Sequence, residues 1–327
     1  MDLKQRILRF LGEDWNRVGT LMHEALSSDI ALLNQANANI LSHNGKMLRP
    51  ILSLLMARAC APAANEASRK VAAASELLHN ATLLHDDVAD ASDRRRGVPT
   101  TSSILGDRAS VLLGDYWLVS AVSLILDTGT HSSEMIRIFA KTLSDLAEGE
   151  MLQLQKAALG DTSREDYRRI IYSKTASLFE AACVSGALSV DAPEALLAAA
   201  RSYGVSVGLA FQVKDDIFDY TATDALGKPV GVDLRERKIT LPLIGALLQV
   251  SDERNRMVRR MVCEVDRHPE YVSLIRDFVL QEGGIQYAES VLEEYVAKAR
   301  EAAALLPAGE AASLLDELAG FIADREV

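Results

Sequence analysis

Apolar residues return every three or four positions through residues 15–41, 48–60, 66–91, 105–127, 132–158, 164–190, 194–220 and 285–304. That is the period of one face of an α-helix. No convincing run alternates with the strand period, and no Gly-rich phosphate loop follows a strand-like stretch. Prolines stand where helices would begin or end: Pro50 after the Asn44-Gly45 turn, Pro99 after an Arg-rich loop, Pro193 and Pro269 near helix starts. Several stretches are apolar nearly all round, as expected of helices wrapped by other helices. The pattern predicts an all-α chain, one domain over 1–327 built as a bundle of about a dozen helices. No Ser/Gly/Pro-rich linker divides it.

With 327 residues, 49% of them hydrophobic, the chain can bury one large core. Its net charge of −11 argues against a general nucleic-acid binder, which would carry a basic face. Cys60, Cys183 and Cys263 share no close spacing, so neither a zinc site nor a disulfide framework is expected and a reducing, cytoplasmic setting fits. The start, Met1-Asp2-Leu3-Lys4-Gln5-Arg6, lacks the apolar stretch of a signal peptide. The run from Val111 to Leu126 is broken by Gly114, Asp115 and two serines, and reads as a buried helix rather than a transmembrane segment.

Two acidic motifs stand out against this helical background. Asp86-Asp87-Val88-Ala89-Asp90 and Asp215-Asp216-Ile217-Phe218-Asp219 share the pattern Asp-Asp-x-x-Asp. On a helix, positions one and five lie about 40° apart and position two about 100° away, so each motif projects carboxylates from one edge. Folding does not reward clustered like charges, whereas hard divalent cations with oxygen ligands relieve them. Basic residues accompany the motifs: Lys46 and Arg49 in Gly45-Lys46-Met47-Leu48-Arg49-Pro50, Arg94-Arg95-Arg96 after the first motif, Lys174-Thr175, Lys214, and Lys228, Arg237 and Lys238 after the second. Arg grips phosphate oxygens in a bidentate fashion and Lys acts as a point charge. Carboxylates, metals and two groups of cations together describe a site for diphosphate esters. Glu148-Gly149-Glu150 reads as a turn with a structural role, and His85 as a supporting or exposed residue.

These blocks, with Glu76 to Asp90, Arg95 to Thr100, Phe211 to Asp219 and Gly227 to Leu234, agree in order and spacing with one family. From Lys46 to about Gly284 the chain resembles the trans-isoprenyl diphosphate synthases, or polyprenyl synthetases. The resemblance implies the isoprenoid synthase fold, helices around a central cavity. It implies that Asp86, Asp87, Asp90, Asp215, Asp216 and Asp219 bind Mg²⁺, three ions once substrate is bound. Arg95, Lys174 and Lys238 would hold an allylic diphosphate such as farnesyl diphosphate. Lys46, Arg49, His79 and Arg96 would hold isopentenyl diphosphate, and Lys228 adds a further substrate-binding cation. Lys174, Thr175 and Gln212 would carry the chemistry, the oxygens of the latter two facing developing positive charge. Met47 stands where relatives often have a cation. A homodimer is implied.

In this family the residues four and five positions before the first aspartate gate product length. Here they are Thr82 and Ala81, both small, with Leu78, Ser75 and Ala74 behind them. An open gate implies a long all-trans polyprenyl product of the kind used for quinone side chains. Phe139 and Met135, with Trp117 behind, are candidates for the tunnel floor. The alternatives are a short-chain synthase making farnesyl or geranylgeranyl diphosphate, a terpene cyclase, and a non-catalytic subunit. Three aspartates in the second motif and an isopentenyl site favour elongation over cyclisation, and six intact aspartates argue against a decayed site.

Overall fold

The structure, a computed structural model, describes residues 2–43, 45–95, 97–221 and 231–325. It is all-α. In chain order come α1 (Leu3–Leu11), α2 (Glu13–Ala25), α3 (Ala31–Ser42), α4 (Leu48–Cys60) and α5 (Glu66–Ala89). A two-residue hairpin, β1 (Arg94–Arg95) with β2 (Val98–Pro99), leads to α6 (Thr101–Leu105), α7 (Asp107–Leu126), α8 (Ser132–Leu159) and α9 (Arg164–Ile171). A π-helical turn (Tyr172–Ala176) joins α9 to α10 (Ser177–Leu188). Then follow α11 (Glu194–Thr221), α12 (Val232–Arg235), α13 (Leu241–Leu247), α14 (Asp252–Cys263), α15 (Tyr271–Gln281), α16 (Gly284–Ala303) and α17 (Glu310–Asp324).

Several expectations need correction. The periodic run 15–41 is two helices, α2 and α3. Asn34 breaks it: its amide oxygen accepts from Ser28 N (3.0 Å) and its amide nitrogen donates to Ser28 O (2.6 Å), which gives the backbone a local alternative to helix. The Arg-rich loop contains the small antiparallel hairpin, pairing Arg94 with Pro99 and Arg95 with Val98. Finally, Glu148-Gly149-Glu150 lies inside α8 and is not a turn.

The chain divides into two compact units, each described by itself. The first comprises Met1–Ala140, Ala181–Arg201 and Ala304–Leu315. Here α5 packs against α2, α4 and α7. Its start is fixed by a capping box: Asn65 accepts from Ser68 N (2.9 Å), and Ser68 Oγ accepts from Asn65 N (3.3 Å). Small residues Ala72, Ala73 and Ala74 are fully buried along α5, and Gly114 lets α7 approach so closely that an added Cβ would strike the His85 ring. The opposite face of α7 is not buried as expected: Leu112, Val119 and Leu126 are exposed. Among the described residues, α7 and α11 are long and apolar enough to cross a membrane by length and composition alone.

The second unit comprises Lys141–Glu180, Ser202–Ala303 and Asp316–Val327. A capping box at Ser163 and Asp166 starts α9. The π-helical turn then inserts one residue into what the sequence pattern presents as a single helix, a local widening that recurs at functional sites. Gly208 of α11 sits against that turn; a Cβ there would lie 2.5 Å from Ala176 Cα. Gly208→Ala should therefore destabilise the fold by about 1–3 kcal/mol, since a backbone atom rather than a flexible side chain must yield. Urea denaturation of the two proteins checks this.

Candidate active site

In the first unit, the last turn of α5 carries Asp86, Asp87 and Asp90. Asp86 and Asp90 are exposed and share a helix face with half-buried His79, four and seven residues being whole turns. Asp87 points elsewhere. It is 5% exposed, and its Oδ1 accepts from Arg95 Nε at 2.7 Å. The hairpin exists at this spot because the helix ends: Ala91 turns left-handed (φ 47°), Ser92 N donates to Asp87 O (2.9 Å), and Thr100 Oγ1 donates to Ser92 O (2.7 Å). Asn80, Leu83, Asp87 and Arg95 line a cavity of about 200 Å³ bordered by α3 and α6. Exposed Lys46 precedes α4 and half-buried Arg49 lies in its first turn. Ala81, Met135, Phe139 and Trp117 are buried; Thr82 is half-buried and donates to His79 O (2.8 Å). His85 is half exposed, 3.4 Å from Asp115. Arg96 and Lys228 lie outside the described residues.

In the second unit, Lys174, Thr175, Gln212, Asp216, Asp233 and Lys238 line one cavity of about 150 Å³. The π-helical turn aims Lys174 and Thr175 into it. Gly149 makes room for this, since a Cβ there would lie 2.6 Å from Ser173 Cβ. Lys174 pairs with Glu150 and donates to Gln153 Oε1 (3.1 Å). Lys238 pairs with Glu236, and Arg237, held left-handed at φ 58°, pairs with Asp266 instead of entering the cavity. Lys214 lies over the Phe218 ring at 5.0 Å.

The three aspartates of the second motif have different environments. Asp215 is half-buried, and its Oδ1 accepts from Arg325 Nη2 at 2.5 Å. Arg325 is itself buried, donates to Phe211 O (2.9 Å) and lies 4.1 Å from the Phe211 ring centroid. Asp216 is 3% exposed, accepting from Tyr167 (2.6 Å) and Gln212 (2.9 Å). Asp219 accepts from the backbone N–H groups of Val232 (2.9 Å) and Asp233 (3.1 Å).

Burial raises the pKa of Asp216 well above the carboxylate range, helped by the charge of Asp233. Burial also raises Asp219, against the pull of its two backbone hydrogen bonds. Asp233 is pushed up to about 7, by burial first and then by the charge of Asp219. An all-oxygen donor set under this strain suits a hard divalent cation. Among the described residues no three His, Cys, Asp or Glu side chains are grouped to hold a metal ion by themselves. Substrate or water oxygens would complete a Mg²⁺ shell, which is how that ion is usually held.

Sequence reasoning missed Tyr167 and Arg325, and it read Glu150 as part of a structural turn. Tyr167 gives only the signal of one more apolar position in a helix. Glu150 lies in α8 and meets Lys174 of the π-helical turn. Arg325 is far from the motif along the chain, and nothing local marks it.

Residues 30–277 match the polyprenyl synthetase family model. The chain is 38% identical over 305 residues to octaprenyl diphosphate synthase of Escherichia coli, covering 93% of each. It is 34% identical to all-trans-nonaprenyl-diphosphate synthase (geranyl-diphosphate specific) of Rhodobacter capsulatus, covering 99% of each. The crystal structure of polyprenyl synthase from Caulobacter crescentus, complexed with calcium and isoprenyl diphosphate, superposes with a TM-score of 0.90 at 34% identity, covering 99% of this chain and 98% of that one. The chain belongs to the polyprenyl synthetase family and has its isoprenoid synthase fold.

The buried carboxylates give stability a defined pH dependence. Asp233 has its folded pKa raised to about 7, from a reference value of 3.8. The folded protein binds the extra proton in that window, so this group's contribution is complete below about pH 4 and is lost as pH rises through about 7. In the metal-free protein, wild type should lose stability relative to Asp233→Asn across that range. Melting curves of both proteins from about pH 4 to about pH 8, a range that spans the reference and the folded value, measure the difference.

Proposed function

We propose that this polyprenyl synthetase joins an allylic diphosphate such as farnesyl diphosphate to isopentenyl diphosphate, repeatedly, and releases a long all-trans polyprenyl diphosphate. The observation that carries the chemistry is the cavity in which Lys174, Thr175, Gln212 and Lys238 meet the second acidic motif. Lys174 and Lys238 hold the allylic diphosphate as point charges, and the family resemblance assigns Arg95, with its planar guanidinium, to the same diphosphate. Lys46, Arg49, His79 and Arg96 hold the second diphosphate, with Lys228 assisting. The allylic carbon–oxygen bond breaks and diphosphate leaves with the electron pair. Thr175 and Gln212 turn oxygens toward the resulting cation, a preorganised electrostatic stabilisation. The isopentenyl double bond then attacks the cation, a carbon–carbon bond forms, and a proton departs to the released diphosphate. The product is one isoprene unit longer, and no protein general base is required.

Mg²⁺, three ions with substrate bound, would neutralise and polarise the leaving diphosphate. Asp86 and Asp90 are the exposed motif carboxylates, and Asp215 is half-buried beside Arg325. Asp87, Asp216 and Asp219 complete the set and orient it through their hydrogen bonds. The related Caulobacter structure, complexed with calcium and isoprenyl diphosphate, supports a divalent cation in this reaction.

The long-product reading rests on Ala81 and Thr82 at the gate and on Phe139 as floor, and it agrees with the octaprenyl and nonaprenyl relatives. A homodimer would cover the apolar outer face of α7, where Leu112, Val119 and Leu126 are exposed. The chain works as one domain: four of the five boundaries between its two units fall inside helices, α8, α10, α11 and α17, and the family match runs through both. A cytoplasmic location fits the acidic composition and the free cysteines.

The test is a product assay with Mg²⁺, farnesyl diphosphate and labelled isopentenyl diphosphate. A ladder extending beyond geranylgeranyl diphosphate is expected, and Ala81→Phe should shorten it. Wild-type product that stops at geranylgeranyl diphosphate would overturn the open gate. Diphosphate release from farnesyl diphosphate without isopentenyl incorporation would point to a cyclase.

A further inference from the structure

We infer that Tyr167 is a positioning residue for the prenyl-transfer reaction: its buried hydroxyl fixes the direction in which the Thr175 hydroxyl presents its oxygen to the cavity. The inference rests on the elongation reading given above. Four side chains form one hydrogen-bonded chain. Tyr167 donates to Asp216 Oδ2 at 2.6 Å. Gln212 Nε2 donates to Asp216 Oδ1 at 2.9 Å. Thr175 Oγ1 donates to Gln212 Oε1 at 2.7 Å. Tyr167 and Asp216 are 4% and 3% exposed, while all four residues border the cavity.

The direction of this chain follows from its chemistry. Asp216 Oδ1 accepts from the Gln212 amide and Oδ2 from the Tyr167 hydroxyl. A primary amide has one donor end and one acceptor end, so Gln212 must turn its NH₂ to the carboxylate and its carbonyl to Thr175. Thr175 then has a partner for its only proton. Its remaining lone pairs are left to face the cavity, the polarity that favours a neighbouring carbocation. The reverse arrangement would set the Gln212 carbonyl against Asp216, acceptor to acceptor, and would turn the Thr175 proton outward.

Tyr167 holds the far end. Asp216 and Gln212 lie one turn apart on α11, so Gln212 alone would let the carboxylate swing with its own rotamers. Tyr167 comes from α9, which leads into the π-helical turn that carries Thr175, and ties the carboxylate to a second helix. The hydroxyl thus gives Asp216 a side-chain donor from outside α11. Removing it leaves Asp216 Oδ2 buried with a lost partner, free to rotate toward Gln212 and to release the amide.

The experiment is a double-mutant cycle with Tyr167→Phe and Thr175→Val, assayed for isopentenyl incorporation at saturating Mg²⁺. Tyr167→Phe keeps the ring and its packing, so the melting temperature should move by only a few degrees. It should lower kcat about tenfold while each KM changes less than about twofold, the mark of an interaction made in the transition state. In the Thr175→Val background, where no hydroxyl remains to be aimed, the same change should cost less than about twofold. Equal losses in both backgrounds, a loss carried by KM, or unchanged activity in Tyr167→Phe would each overturn the inference and leave the enzyme class standing. Absence of incorporation by the wild type would overturn the elongation reading, and the inference with it.

Discussion

Removing a carboxylate from water is expensive unless cations or donors replace the lost solvation, and α11 carries this cost at its functional end. Asp216 is sealed with only neutral donors, Tyr167 and Gln212. Asp219 is tied to two backbone N–H groups, and Asp233 is buried close enough for its charge to act on Asp216. Much of the surrounding structure follows from accommodating them. The π-helical turn swings Lys174 and Thr175 inward, Gly208 and Gly149 let the backbone and side chains of that turn come close, and Lys238 returns to the same cavity after the second motif. Buried groups whose solvation is supplied by fixed dipoles are already arranged before a ligand arrives. That is the condition under which hydrogen bonds aid a reaction without reorganising during it.

The two acidic motifs share a further property that follows from helix geometry. Position two is turned about 100° from position one, and in both motifs it is the buried member. Asp87 takes a cation, Arg95, and Asp216 takes a tyrosine and an amide. Positions one and five diverge. Asp86 and Asp90 stand exposed at a helix end, whereas Asp215 meets Arg325 and Asp219 holds the backbone at Val232 and Asp233. Identical residue patterns thus divide into outward-facing carboxylates and carboxylates that hold neighbouring segments in place.

Helix periodicity and the motifs made the all-α fold and most of the candidate site legible, because both are repeated, local signals. What escaped was non-local or breaks a period by one. Asn34 interrupts α2–α3 through a side-chain contact that no hydrophobic pattern encodes. The π-helical turn inserts one residue, which a periodicity spread over many turns absorbs. α7 is apolar nearly all round, so its sequence could not distinguish the face packed on α5 from the face that carries Leu112, Val119 and Leu126 outward. Tyr167 has an apolar body and a polar tip, and periodicity registers only the body.

The charges of the site are also balanced against one another inside each unit. Lys174 pairs with Glu150, Lys238 with Glu236, Asp215 with Arg325, and Asp87 with Arg95. A bare anion entering the second unit's cavity would draw Lys174 and Lys238 away from Glu150 and Glu236, giving up two ion pairs for the new ones. A bare cation would draw Asp215 away from Arg325, which is almost fully buried and poorly placed to find water. Each exchange alone gives up one ion pair to gain another, so the net gain is small. A diphosphate that brings its own divalent cation supplies both signs at once, and every group released from an internal pair finds a new partner. The pairing holds the site together without ligand and disfavours binding of phosphate or metal singly. It favours the combined species that the elongation chemistry consumes.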